Sequence, residues 1–500
     1  MAAARYDKLL VTHSGALRRK YGSAGAKQVR AALDALVTAD EAHHLVSRVL
    51  LVDNASTMRA LKLPRVADGD WRATLKAVDI AAERYEPSYL ALVGATDVVP
   101  QAQLRNPLSP SDDDPYVPSD LPFACDLPAS FDGTGTTRLD PAQLLAVTRV
   151  VGRIPDLVGA TDPGLLLANL AVAATYQQRS AAAYQKVFAL SAAAWRGSTV
   201  LSVGLLPGRA PATRLSPPKR SPWQQADLTA LSHFVNCHGG DFTPDWFGQQ
   251  DSSAPVDTVA LRPEDVDGEI TPGTVVVSEC CYGAKHQDPA AQGGRLPMLW
   301  AYLRSGAYAG VGSSTTAYGP ADGNGQADLI CRYALEGIMG GASTGRALLD
   351  ARQRYIRETG AMGPEDLKTI AQFDLLGDPS LVPVATPGRV IPGAKGVPQQ
   401  SLAQRRVVLR ATGRALDASV PRASTTQARE AGVTGPVLAR EAGLPVSALA
   451  GDVTTFGERS GAPRAGFRFH VTPVRVGSRT GLVVAREAGG QRTTATIWRR

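Results

Sequence analysis

The sequence is poor in cysteine and has no long apolar run. Five cysteines stand among 500 residues, an odd number and too few for a disulfide scaffold of this size, so we expect free thiols in a reducing compartment. The first ten residues lack the apolar core of a signal peptide, and no later run approaches the roughly 18 apolar residues of a membrane span. These absences predict a cytoplasmic protein without membrane contact.

A patterned basic surface is also missing. The formal net charge is +7, but the basic residues are scattered and their densest clusters are short pairs such as Lys219-Arg220 and Arg405-Arg406. Excess charge without a basic face does not predict a nucleic-acid partner. The high usage of Ala, Arg, Gly and Pro is compatible with a bacterial genome of high GC content.

Short apolar runs bounded by Gly, Pro or Asp alternate with longer amphipathic stretches along the chain. Parallel strands joined by crossover helices produce this alternation, so the predicted fold class is α/β. One small doubly wound sheet is expected from strands at 8–12, 47–52 and 89–93, with helices near 26–36 and 71–85. A Pro- and Asp-rich passage, 106–128, is expected to cross the surface.

A second sheet is expected to carry the chemistry. Its predicted strands are 198–203, 233–236, 274–278 and 307–311, and its predicted helices are 163–180, 326–339 and 344–358. These elements predict two parallel-sheet subdomains with flanking helices.

The chain is expected to divide into four parts. They are an N-terminal α/β subdomain, 1–195, a catalytic subdomain, 196–384, a linker rich in Pro and Gly, 385–400, and a C-terminal accessory module, 401–500. Apolar alternation in 466–476 and 480–485, with a helix near 437–442, predicts that the module is β-rich or α+β.

Two predicted strands end in reactive side chains. The first ends in Asn236-Cys237-His238-Gly239-Gly240 and the second in Ser278-Glu279-Cys280-Cys281-Tyr282-Gly283. The carboxyl ends of strands in an open α/β sheet form its ligand-binding edge. We therefore predict Cys280 as nucleophile, His238 as general acid and base, and the amides of Gly239 and Cys280 as oxyanion donors.

Structural roles compete with this interpretation. A buried cysteine is more often an inert small hydrophobe, and a lone histidine is more often a hydrogen-bonded structural residue. A zinc site built from Cys237, His238, Cys280, Cys281 and His286 is a further alternative, but the spacing matches no usual paired-cysteine pattern. No metal and no cofactor are predicted.

Several blocks, in order, resemble the gingipain-like cysteine peptidases of the caspase-like clan over roughly 6–384. The matching blocks are 89–100, which resembles a Val-Gly-Asp turn followed by Ile-Pro, then Ser119-Asp120, Gly152-Arg153, Asn236 to Gly240 and Gly377-Asp378-Pro379-Ser380-Leu381. Cys237 replaces the glycine that the family places before its histidine. The resemblance implies a caspase-like catalytic unit, a thiol mechanism and cleavage governed by the side chain that precedes the scissile bond.

The resemblance also bears on which cysteine reacts. The family often shows Ser-x-Cys-x-x-Gly, which Ser278, Cys280 and Gly283 match. Caspases proper place glycine two residues after the cysteine, a spacing that selects Cys281. Cys280 is therefore predicted, and Cys281 stays open as the alternative.

Residues 306–318 resemble the strand and Ser-Thr loop beside the family's specificity pocket, so Ser314 and Tyr318 are predicted pocket residues. Arginine-specific gingipains carry acidic residues upstream of the histidine, whereas residues 196–226 contain no Asp or Glu. The residue before the cut is expected to be neutral or acidic, unless Asp227, Asp241, Asp245 or another carboxylate lines the pocket.

The predicted function is a cysteine endopeptidase that hydrolyses protein or peptide substrates through a Cys-His dyad and a thioester acyl-enzyme. A non-catalytic caspase-like scaffold and a transpeptidase or ligase are the alternatives. The C-terminal module is predicted to be a gate that binds a regulatory partner, a substrate-docking surface or a structural cap.

Overall fold

The computed structural model describes residues 5–126, 138–208, 212–385, 434–451, 453–457, 467–476, 479–488 and 491–498. Its first elements are β1 (Lys8–Thr12), α1 (Ser14–Ala42), β2 (Ser47–Leu51), α2 (Ala55–Ala60), α3 (Trp71–Tyr85), β3 (Tyr89–Val93), β4 (Ala102–Arg105), β5 (Tyr116–Ser119) and β6 (Val150–Ile154). Every residue of β1, β3 and β6 is buried, as expected of parallel strands covered on both faces. The strands predicted at 8–12 and 89–93 and the helix predicted at 71–85 are confirmed.

Shorter elements follow. They are α4 (Gly164–Thr175), β7 (Arg179–Ser180), α5 (Ala181–Tyr184), β8 (Val187–Ala192), α6 (Arg196–Gly204), β9 (Thr213–Ser216), β10 (Ser232–Asn236), β11 (His238–Gly240), β12 (Thr243–Gly248), β13 (Thr258–Leu261), α7 (Pro263–Val266) and β14 (Val275–Ser278). The next are α8 (Met298–Arg304), β15 (Ala309–Ser313), α9 (Gln326–Met339), α10 (Thr344–Thr359), α11 (Pro364–Gln372), β16 (Phe373–Leu376) and β17 (Val384–Ala385).

One sheet of ten strands replaces the two predicted sheets. Its order is β2-β1-β3-β6-β16-β15-β14-β10-β8-β9. β16, which was not predicted as a strand, joins the halves because it pairs parallel with β6 and antiparallel with β15. All other neighbours in this sheet are parallel. The carboxyl ends of β8, β10, β14 and β15 therefore share one edge, opposite to the edge where β1, β3 and β6 end.

Two sequence predictions are wrong. The segment predicted as a strand at 198–203 is part of helix α6, where Thr199 and Val203 are buried while Val200 and Leu201 are exposed. This spacing of buried and exposed positions has the period of a helix. The β-branched residues in the segment favour a strand when the sequence is considered alone. The strand of this region is β8. The passage 106–128 does not simply cross the surface, because Val117 and Phe123 are fully buried.

A buried ion pair holds the middle of the sheet. Arg153 of β6 is fully buried and donates to both carboxylate oxygens of Asp120, at 2.8 and 2.6 Å. Its remaining nitrogen donates to the carbonyl oxygens of Gly94 and Val99 at 3.1 and 2.7 Å. Residues from three of the blocks that carry the family resemblance thus meet around one guanidinium group.

The contacts within the chain separate residues 1–399 from residues 400–500. In the second unit, helix α12 (Gly435–Glu441) accompanies an antiparallel sheet of β18 (Thr454–Gly457), β19 (Phe467–Val476), β20 (Arg479–Ala488) and β21 (Gln491–Trp498). The strands and the helix predicted there are confirmed. Apart from Ala385, the predicted linker lies outside the described residues, and the predicted domain boundaries stay predictions. None of the described helices has the length and apolar character needed to cross a membrane.

Candidate active site

The register of two neighbouring strands decides which side chains meet at the sheet edge. In the parallel pair of β10 and β14, Val235 lies opposite Ser278. Continued past the strand ends, this register sets Cys237 level with Cys280, and His238 level with Cys281. Because side chains alternate between the faces of a strand, the two levels face opposite ways. Cys237 and Cys280 are 1% and 0% exposed, whereas His238 and Cys281 are partly exposed.

The Cys280 side chain belongs to the apolar core. It packs in the cluster that contains Val235 and Trp300, and its Sγ lies 4.0 Å from the carbonyl oxygen of Val235. Burial raises the pKa of this thiol well above its ordinary value. The Cys280 amide, predicted as an oxyanion donor, donates instead to Ser278 Oγ at 3.2 Å. Neither group reaches the cleft in this structure.

Cys281 lies at the surface of a small cleft. Gly240, Thr243, Tyr282 and Gln287 share this cleft with it. The amide of Ala317 donates to Cys281 Sγ at 3.3 Å. Burial raises the pKa of the Cys281 thiol, while the Ala317 amide and the positive charge of Lys368 act in the opposite direction.

Gly239 brings the two strand ends into backbone contact. A Cβ atom at this position would stand 1.9 Å from the carbonyl oxygen of Cys281 and 3.2 Å from its amide nitrogen. Only glycine allows so close an approach. Its role as an oxyanion donor remains a prediction.

His238 is fixed by two residues that the sequence analysis missed. Its ring lies against Trp195, with centroids 4.1 Å apart, and its Nε2 lies 2.9 Å from Gln249 Oε1. Gln249 Nε2 donates to the Ala254 carbonyl, which directs its oxygen toward the imidazole. Nε2 of His238 therefore carries the proton, and Nδ1 is left as the basic nitrogen. Trp195 follows β8, the strand that was not predicted.

Burial lowers the pKa of His238, against the opposing effect of the Gln249 hydrogen bond. The imidazole is therefore neutral at neutral pH, and the Cys281 thiol is protonated. Across the described residues, no hydrogen bond joins the imidazole to the sulfur of Cys280 or Cys281. A proton transfer between His238 and Cys281 requires rotation of these side chains.

The two predicted pocket residues have different environments. Tyr318 is half-buried, and its hydroxyl donates to Asp112 Oδ2 at 2.7 Å. Ser314 is 1% exposed, and its hydroxyl donates to the Pro118 carbonyl at 2.6 Å. That hydroxyl bonds to the backbone of a neighbouring segment, and the assignment of Ser314 to a substrate pocket stays a prediction.

The carboxylates considered for the pocket are each near a cation. Asp227 lies 3.7 Å from Arg214, Asp245 lies 2.5 Å from Arg295, and Asp241 pairs with Lys285. Two acidic side chains that were not considered are Asp114, which accepts a hydrogen bond from Tyr282 of the cysteine loop, and Asp112, which accepts one from Tyr318. They were missed because they precede the cysteine by more than 160 positions, in a passage expected to cross the surface.

A buried acid pair lies behind the two strand ends. Glu279 is hydrogen-bonded to Asp328, which accepts a bond from the hydroxyl of Ser198. Burial and the nearby Asp328 raise the pKa of Glu279 well above its ordinary value, because two carboxylates this close cannot both ionise. The Asn236 amide donates to Thr199 of the same helix at 3.1 Å. Polar contacts thus connect both strand ends to helix α6.

Among the described residues, the side chains considered for zinc do not form a cluster of metal ligands. The His286 ring packs on Trp300 with centroids 4.8 Å apart. Within the part of the chain that the structure describes, no three His, Cys, Asp or Glu side chains are grouped to hold a metal ion.

Comparisons with known proteins add little. No protein-family model matches the chain, and no curated protein does. Among solved structures, the chain is similar to one in the crystal structure of the Saccharomyces cerevisiae separase–securin complex, with 10% identity and a TM-score of 0.29. The match covers 48% of this chain and 14% of that one. The resemblance to gingipain-like peptidases therefore stays a prediction.

Proposed function

We propose that the chain is a cysteine endopeptidase of the gingipain-like type, in which Cys281 is the nucleophile and His238 is the general acid and base. The observation that supports the proposal is the close backbone contact between Gly239, the residue after His238, and Cys281, just past the carboxyl ends of two adjacent parallel strands. A thiol and an imidazole on one sheet edge, with a glycine backbone between them, can perform acyl transfer.

The choice of Cys281 over Cys280 departs from the motif spacing. Cys281 is supported by its exposure and by the backbone contact with Gly239, whereas Cys280 is fully buried. A nucleophile must reach the carbonyl carbon of a polypeptide. The Cys280 sulfur would need to leave an apolar cluster to do so.

In the proposed mechanism, His238 Nδ1 takes the proton from Cys281 Sγ, and the sulfur attacks the substrate carbonyl carbon. The amides of Gly239 and Cys281 stabilise the oxyanion. His238 then gives its proton to the leaving amine, the C–N bond breaks and a thioester remains. Water attacks the thioester and gives a proton to His238, and the carboxylic acid product and the thiol are released.

Because the thiol and the imidazole are both neutral in the resting state, the thiolate forms by proton transfer from Cys281 to His238 during the reaction. The Trp195 ring packs against the imidazole of His238. We expect Nδ1 to approach the Cys281 sulfur through rotation of the imidazole. The rate of acylation is therefore expected to rise with pH as more thiol ionises.

The test is covalent labelling with a panel of peptidyl acyloxymethyl ketones, followed by intact-protein mass spectrometry. We expect one adduct on the wild type, loss of the adduct in Cys281→Ala and in His238→Ala, and retention in Cys280→Ala. Loss in Cys280→Ala with retention in Cys281→Ala would restore the motif-based assignment. No adduct with any probe would favour the non-catalytic scaffold.

Hydrolysis and ligation share the acyl-enzyme, so the product masses separate them. A peptidase gives products that together contain one added water, whereas a transpeptidase joins the acyl part to an added amine nucleophile. The polypeptide substrate, and any regulatory partner at residues 401–500, belong to this proposal as well.

A further inference from the structure

A charged cluster from outside the two strand ends reaches the cysteine loop. It consists of Asp112 and Asp114, on the connection between β4 and β5, and Lys368 of α11. Lys368 is fully buried, and its Nζ donates to the Asp112 carboxylate and, at 2.8 Å, to Asp114 Oδ2. One ammonium faces two carboxylates, an arrangement that is costly to bury unless each group is bonded.

Asp114 bonds to the residue that follows Cys281 and to a second segment, at Thr316. The hydroxyl of Tyr282, the residue directly after Cys281, donates to Asp114 Oδ1 at 3.0 Å. The amide of Thr316 donates to Asp114 Oδ2 at 2.9 Å, and the next amide, that of Ala317, is the one that donates to Cys281 Sγ. The Asp114 carboxylate therefore bonds both to the cysteine loop and to the segment whose Ala317 amide contacts the Cys281 sulfur.

The backbone at Tyr282 gives a reason for this anchoring. Its φ of 57° lies in the left-handed region, which a bulky side chain rarely occupies without support. The Tyr282 hydroxyl is also 3.0 Å from Thr316 Oγ1. The bonds to Asp114 and Thr316 thus fix a strained residue beside the nucleophile.

We infer that Asp114 and Lys368 form a charged clamp that positions the Cys281 loop and sets the charge around its sulfur. Both are positioning residues, and the inference rests on the proposed function in taking Cys281 as the nucleophile. The titratable groups near this sulfur on the surrounding elements are Asp112, Asp114, Tyr282, Tyr318 and Lys368.

The charges of the clamp should change the ionisation of the Cys281 thiol, which a purely structural contact would not do. The positive charge of Lys368 favours the Cys281 thiolate, and the negative charge of Asp114 disfavours it. Removal of either charge therefore shifts the ionisation of the thiol, but in opposite directions. Loss of packing alone gives no such pair of shifts.

The experiment measures the rate of Cys281 alkylation by iodoacetamide across neutral to alkaline pH, with the modified residue identified by peptide mass. Lys368→Met is expected to move the profile to higher pH and to slow alkylation at neutral pH, about tenfold for each unit of pKa. Asp114→Asn is expected to move the profile to lower pH. The control is Lys285→Met, which removes a partly exposed cation that pairs with Asp241, and its profile should match the wild type.

A second pair of variants covers the case in which Lys368→Met does not fold, since it leaves two carboxylates without a cation. Tyr282→Phe removes one hydroxyl and no charge, so it should lower kcat more than it changes KM and leave the alkylation profile in place. Asp114→Asn should lower kcat and move the profile. Wild-type profiles in both Lys368→Met and Asp114→Asn, or in Asp114→Asn alone where only it folds, would overturn the inference.

The two proposals fail in different ways. If the chain is not a peptidase, peptides stay uncut while the opposite shifts in alkylation persist. If the clamp does not act on the sulfur, peptides are cut while the alkylation profiles of the charge variants coincide with that of the wild type.

Discussion

Gly239→Ala is expected to disable the proposed site by separating the two strand ends. The added Cβ would lie 1.9 Å from the Cys281 carbonyl oxygen, whereas carbon and oxygen atoms that are not bonded stay about 3.2 Å or more apart, close to their packing distance. The strand ends must therefore move apart by about 1 Å. A misplacement of this size costs about 100-fold in rate, or about 2.7 kcal/mol of transition-state stabilisation.

The matched control is the next residue. A Cβ at Gly240 would meet only the methyl group of Thr243, at 3.1 Å, which can shift by a few tenths of an ångström. The assay is the second-order rate of inactivation by the ketone that labels the wild type, with thermal unfolding measured for both variants. Gly239→Ala should lose about 100-fold while Gly240→Ala stays within a few-fold. Equal rates for the two variants would refute the close approach on which the site depends.

Three further predictions concern other residues. Arg153→Met leaves the Asp120 carboxylate buried without its cation, so the free energy of unfolding should fall by about 3–5 kcal/mol in urea denaturation; the same change at exposed Arg30, paired with Asp34, should cost less than about 1 kcal/mol, and equal losses would contradict the role of burial. Glu279 has a raised pKa in the folded state, so the folded protein holds an extra proton above the pKa of the unfolded carboxyl and stability falls as pH rises, by up to about 1.4 kcal/mol per pH unit; Glu279→Gln should flatten that fall, and an unchanged slope would count against the shared proton. Phe242 is 90% exposed at the turn after β11, and this turn is anchored because Gln287 donates to the Asp241 carbonyl at 3.0 Å. If the Phe242 ring covers an apolar side chain of the substrate, Phe242→Ser should raise KM about tenfold for the best substrate and leave kcat unchanged. Val256→Ser, at an exposed position on a neighbouring loop, should leave KM unchanged, and identical KM values for the two variants would remove Phe242 from the substrate surface.

The sequence predicts some of the buried strands, where the apolar run is short and sharply bounded. β1 and β3 are confirmed residue for residue, and so are helices α3 and α9. The single ten-stranded sheet could not be predicted, because it depends on β16. Phe373-Asp374-Leu375-Leu376 has the length of a strand, but its pairing partners, β6 and β15, are distant in sequence.

The candidate site was predicted in part. The motif order points to the two strand ends that the candidate site comprises, but it could not tell which of two adjacent cysteines faces the cleft, because that depends on the register between β10 and β14. Trp195 and Gln249 carry no motif, and their contact with His238 arises only when β8 is placed beside β10 and β12 beside β11. Asp114 and Lys368 are 254 positions apart in the sequence, so no local pattern connects them.

Cys280 and Cys281 are chemically identical, so the alignment of β10 and β14 decides which of the two thiols is exposed. A slip of one residue between β10 and β14 would turn Cys280 outward and bury Cys281, and the chain would still present a sulfur beside the histidine loop. Two adjacent thiols thus leave one sulfur facing this side of the sheet in either register.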